Sequence, residues 1–183
     1  MDTDKNKPTV ASDWLAGCAG CHMSLLDLDE RLVTLLDQVT LHASPLTDFK
    51  QPPVGGVEVG LLEGCVNNSA GEEVARRMRD RCRVLVALGD CAVFGGVPTL
   101  RNGVCLRAAL RRAYIETEST AEGRVPSDPQ LAVMQDARAL DQVVKVDFYL
   151  PGCPPSADAI FYALSELAAG RKPVLAGKNL DWH

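Results

Sequence analysis

The chain has 183 residues, 46% of them hydrophobic and 23% charged, which suits a soluble globular protein with a substantial core. A formal charge of −5 and a pI near 5.2 exclude nucleic acid as a partner, so the arginines within 76–83 and 107–112 read as solvated helix faces. No apolar stretch reaches the roughly 18 residues that span a bilayer, which excludes direct membrane insertion.

The N-terminus, Met1 to Lys7, is polar, carries no apolar signal segment and is expected to be a disordered tail, leaving 8–183 as a single domain. Residues 8–16 read as a first strand that delivers its end to Gly17-Cys18. From Ser24, a plausible cap, the apolar residues at 25, 28, 32, 35 and 36 have helical spacing. A Pro/Asp loop over 43–53 leads to a second strand, 56–62, which exits at Glu63-Gly64-Cys65. A charged amphipathic helix follows over 69–81. Residues 83–88 form a near-continuous apolar run, as expected of a central parallel strand covered on both faces, and it ends in Gly89-Asp90-Cys91.

Beyond a Gly95-Gly96 loop, a helix is expected over 103–115, a surface excursion over 116–130, a short helix over 131–141 and a strand over 145–150. That strand runs into Pro151-Gly152-Cys153-Pro154-Pro155. Ser156 can cap a last helix that Gly170 stops. Strands alternating with helices predict an α/β fold with a flavodoxin-like, doubly wound, mostly parallel sheet. Ligands of such sheets bind outside the carboxyl ends of the strands.

Cys18, Cys21, Cys91 and Cys153 each lie just after a predicted strand, in three segments that a parallel sheet gathers at one edge. Glycines and prolines around them suit a bulky inorganic group, and a cubane held by four thiolates is the natural occupant. A tetrahedral zinc also takes four cysteines, which would make the chain a zinc-stapled assembly module. A thioredoxin-type exchange site explains only the Cys18/Cys21 pair. A flavin phosphate would need a Ser/Thr-rich loop where this chain has Gly-Cys-Ala-Gly-Cys. Cysteines in a helix-rich chain of this length favour a reducing, cytoplasmic compartment.

The set Cys18-Ala-Gly-Cys21, Glu63-Gly64, Gly89-Asp-Cys91-Ala-Val-Phe-Gly95-Gly96 and Pro151-Gly-Cys153-Pro-Pro resembles the small subunit of [NiFe] hydrogenases and, more distantly, the related quinone-oxidoreductase subunit. The resemblance spans residues 14–169. It implies that the four cysteines hold one [4Fe–4S] cluster at the carboxyl edge of the sheet. It also implies that a partner large subunit carries the nickel–iron site where H2 is split. The chain ends at His183 after a single predicted sheet and shows no export signal, so it is most similar to the short small subunits of cytoplasmic, NAD-reducing hydrogenases. Those feed an iron–sulfur/flavin module. The alternative is another soluble hydrogenase, reducing a deazaflavin or serving a heterodisulfide reductase. Two departures matter: the quinone-oxidoreductase relatives have adjacent cysteines where this chain has Cys-x-x-Cys, and Gly17 stands where many members carry Glu.

Four residues are expected beside the cluster without belonging to the ligand set. Glu63 and Cys65 leave the second strand at the same edge, Asp90 adjoins Cys91, and His22 either donates toward a cluster sulfur or faces a subunit interface. An ionised Asp90 would lower the cluster potential. Cys82 and Cys105 are expected to be structural, and Trp14, Trp182, Phe49, Phe94 and Phe161 to be core or interface.

Overall fold

The computed structural model describes residues 7–177. The expected tail, apart from Lys7, and Trp182 lie outside the described residues. Among the described residues there are seven strands: β1 (Thr9–Trp14), β2 (Thr40–Ala43), β3 (Val57–Glu63), β4 (Val66–Asn68), β5 (Cys82–Leu88), β6 (Met134–Arg138) and β7 (Phe148–Leu150). Five of them form one parallel sheet in the order β2-β1-β3-β5-β7, the doubly wound topology predicted from the alternation of strands and helices.

Six α-helices accompany them: α1 (Gly20–Leu26), α2 (Glu30–Gln38), α3 (Ser69–Arg81), α4 (Gly89–Phe94), α5 (Leu106–Tyr114) and α6 (Ala157–Ala168). Successive strand residues point to opposite faces, so each central strand feeds two cores. Val10, Leu61, Val86 and Leu88 pack with Leu35 of α2 and Ile160 of α6 on one face. Ala11, Leu62, Leu85 and Ala87 pack with Met78 of α3 and Ala92 of α4 on the other. Burial on both faces explains the unbroken apolar runs of β3 and β5.

Several expectations need correction. The first helix starts at Gly20, four residues before Ser24, so Ser24 is no cap: it is buried in α1 and its hydroxyl donates to the Pro155 carbonyl at 2.6 Å. The periodic run then breaks around Asp29 (φ 52°) and resumes as α2, which keeps Leu28, Leu32 and Leu35 facing the sheet. The four-residue edge strand β2 and the short α4 carry too little periodicity to be read from sequence.

The helix expected over 131–141 is instead β6 followed by a 3-10 turn at Leu140–Gln142. Its backbone is claimed by tertiary partners. It pairs antiparallel with β4, and the Asn102 amide both donates to the Ala137 carbonyl and accepts from the Ala137 N–H, each at 2.8 Å. The strand expected over 145–150 shortens to Phe148–Leu150, because the Asp147 carboxylate replaces a ladder partner by accepting from the Leu85 N–H. The helix expected over 69–81 and the last helix with its Ser156 cap are as predicted, whereas the one expected over 103–115 starts later, at Leu106, after a 3-10 turn at Val97–Gly103.

Candidate metal centre

The carboxyl ends of β1, β3, β5 and β7 converge, and the chain after each is shaped by its neighbours. Beyond β1, Ala16 and Cys65 exchange backbone hydrogen bonds of 3.0 and 2.8 Å, which ties the Cys18 loop to the exit of β3. Gly64 makes that approach possible. Its φ of +85° is left-handed, and a Cβ there would stand 2.9 Å from the Leu15 carbonyl carbon and the Ala16 oxygen. Beyond β5, Gly89 (φ +81°) turns the chain directly into α4, and a Cβ on it would collide with Cys21 Sγ. The Asp90 N–H donates to the Gly152 carbonyl and the Asp90 carboxylate accepts from the Gly152 N–H, both at 2.8 Å, lacing the β5 and β7 loops together.

Cys18, Cys21, Cys91 and Cys153 line one cavity of about 60 Å³, together with Glu63, Asp90 and the backbone of Gly17, Gly20, Gly64 and Gly152. Among the described residues, no three His, Cys, Asp or Glu side chains converge tightly enough to hold a single ion; the thiols surround a space. Cys18 and Cys153 are exposed, whereas Cys21 and Cys91 are partly buried. A larger apolar cavity, about 250 Å³, lies away from the thiols beneath α2.

Electrostatically, the four thiols are crowded together with two carboxyl groups and no cationic side chain among them. Burial pushes the Cys91 thiol up to about 11, and Cys65, Cys153, Cys18 and Asp90 add to the rise. Burial also raises Cys21, reinforced by Glu63 and the other three thiols. No lysine or arginine lines the cavity. A thiol–disulfide exchange site needs the opposite, a depressed thiol pKa. Holding all four as thiolates would take a positively charged group placed between them. An iron–sulfur cluster fits that donor set.

Of the residues expected beside the site, Glu63 and Asp90 line the cavity, and Cys65 lies fully buried behind it, close enough to raise Cys91. Asp90 has a further task as the clasp to Gly152. His22 departs from both expectations: at 1% exposure it faces neither the cavity nor the surface. Its backbone N–H and its Nδ1 both bond Glu63 Oε2, at 2.7 and 2.6 Å, and its Nε2 bonds Ser12 Oγ at 3.1 Å. Ser12, not singled out from sequence, was detectable as a hydroxyl inside a strand that must be covered on both faces. Cys82 is buried at the opposite end of β5. Cys105 is exposed at the start of α5, so packing is not its role. Phe49, Phe94 and Trp14 are exposed rather than core.

Residues 18–167 match the family described as the NADH ubiquinone oxidoreductase 20 kDa subunit. The chain belongs to that family. Within it, the delta subunit of the NAD-reducing hydrogenase HoxS of Cupriavidus necator is 40% identical over 91% of this chain and 81% of its own length. In Methanothermobacter thermautotrophicus, an F420-non-reducing hydrogenase subunit is 33% identical over 95% of this chain, which spans only 58% of that relative. A solved chain of an NAD+-reducing [NiFe]-hydrogenase in the H2-reduced state superposes with a TM-score of 0.91 at 41% identity, covering 97% of this chain and 99% of that one. This member of the 20 kDa-subunit family thus groups with hydrogenase small subunits. Among its described residues, no helix is long and apolar enough to cross a membrane.

Proposed function

We propose that the chain is the electron-relay small subunit of a soluble, cytoplasmic NAD-reducing [NiFe] hydrogenase, with Cys18, Cys21, Cys91 and Cys153 as ligands of a single [4Fe–4S] cluster. The observation that carries this reading is the gathering of four thiols from three separate chain segments around one cavity that no cationic side chain lines. Bound there, such a cluster supplies reversible one-electron uptake. The chain's own residues do the rest. The segments after β1, β5 and β7 present the sulfurs, with Cys21 in the first turn of α1 and Cys91 in that of α4; the Asp90–Gly152 clasp fixes two of those segments, and Glu63 sets a carboxyl group at the cavity wall.

The exposed side of Cys18 and Cys153 is where a partner would cover the cluster. In this reading, H2 is split at a nickel–iron site on a large subunit, and electrons continue to an iron–sulfur/flavin module that reduces NAD. The likeness to the HoxS delta subunit along most of both chains supports it. The test is H2-driven reduction by the purified complex. Reduction of NAD is expected; reduction of another acceptor with none of NAD would overturn the NAD-reducing assignment. It would favour the second reading, a soluble hydrogenase with a different acceptor, which the 33% identity to the methanogen protein supports.

A further inference from the structure

Glu63 ends the central strand β3 at 2% exposure, an expensive place for a carboxyl group. Two groups of His22 meet one oxygen, Oε2: the backbone N–H donates to it at 2.7 Å and Nδ1 is hydrogen-bonded to it at 2.6 Å. The other oxygen, Oε1, is 3.9 Å from where a Cβ on Gly17 would be, and Gly17 and Glu63 both line the cavity. Behind His22 the polar line continues inward. Nε2 meets Ser12 Oγ, the Ser12 hydroxyl donates to Ser44 Oγ at 3.0 Å, and Ser44 Oγ accepts from the Leu46 N–H at 3.2 Å. Ser12 and Ser44 are as buried as His22, and Trp14 closes the imidazole edge-on at 5.7 Å between ring centroids.

A buried polar line of this length adds little to stability that apolar side chains would not supply, so a fixed geometry is what it secures. The element fixed is the carboxyl group at the cavity wall. A negative charge held beside an iron–sulfur cluster disfavours its reduced, more negative state, and net charge near the cluster is one of the levers on its potential.

We propose that His22, propped by Ser12, is a positioning residue: it locks Glu63 with Oε1 toward the cysteine cradle, and the locked carboxylate lowers the reduction potential of the cluster. This inference rests on the cluster reading given under Proposed function. It assigns His22 and Ser12 no contact with the cluster and no part in ligation.

The test uses the purified complex and compares wild type with Ser12→Ala, His22→Ala, Glu63→Gln and the combinations of the first two with the third. Iron and acid-labile sulfide are counted, and the midpoint potential of this chain's cluster is followed by EPR. Iron and sulfide should stay at wild-type levels. Glu63→Gln should raise the midpoint potential, and Ser12→Ala should raise it by less. Neither Ser12→Ala nor His22→Ala should shift it further once Glu63 is Gln, because both act through that carboxylate. Should His22→Ala lose the cluster, Ser12→Ala carries the same comparison from a position outside the cradle. A Ser12→Ala complex with its cluster intact and its potential unchanged would overturn the proposal, as would shifts that add fully in the combined variants. A wild-type complex with no cluster on this chain would instead overturn the cluster reading itself.

Discussion

At the scale of single residues, the site depends as much on what is missing as on the thiols. Gly89 has left-handed backbone and no room for a Cβ beside Cys21 Sγ. Gly89→Ala should therefore leave the circular dichroism of the fold near wild type while abolishing cluster absorbance, although it removes no ligand. The left-handed conformation costs an L-residue about 1–2 kcal/mol, and the displaced sulfur does the larger harm. The four cysteines and Glu63 were legible from sequence because each follows a strand, and strand ends of a parallel sheet share an edge. The orientation of His22 was not legible. Adjacency to Cys21 suggested a contact with the cluster, but residue 22 sits on α1, one position around the helix, which turns its ring away from the cavity and onto Glu63.

At the scale of elements, sequence reading succeeded where an element's own periodicity decides its form, as in α3 and β5, and failed where a distant partner decides it. Residues 134–138 became strand because β4 and Asn102 claim their backbone. A charged clasp reinforces that ribbon. Glu72 of α3 accepts from Arg76 and from Arg138 of β6, each at 2.7 Å, and the two guanidinium groups hold its carboxyl down at about 2, from an ordinary 4.5. A lowered carboxyl pKa contributes stability that is fully present above 4.5 and is lost as the pH falls through about 2. Amide-exchange protection of β6 should accordingly drop between pH 4.5 and 2, and Glu72→Gln should weaken protection at neutral pH and flatten that dependence. A wild-type profile in the variant would show the clasp to be idle.

At the scale of the whole molecule, the sheet brings four loops to one edge and leaves that edge incomplete. Phe94, Val97 and Leu100, which follow Cys91 in the chain, are 66%, 68% and 76% exposed, and Cys18 and Cys153 are exposed as well. Apolar side chains exposed to this extent mark a face for a partner. The chain produced without its partners should therefore aggregate or stay poorly soluble, and a monodisperse, cluster-loaded monomer in gel filtration would contradict that. The central claim, that these thiols hold a cluster, is tested most directly by iron and acid-labile sulfide analysis of the intact complex carrying Cys91→Ser, with Cys82→Ser as reference. Cys91→Ser should lower both counts by about four per copy of this chain, the content of one [4Fe–4S] cluster, while Cys82→Ser, at the far end of β5, should match wild type. Equal counts in the two variants, or zinc in place of iron in the wild type, would contradict the assignment.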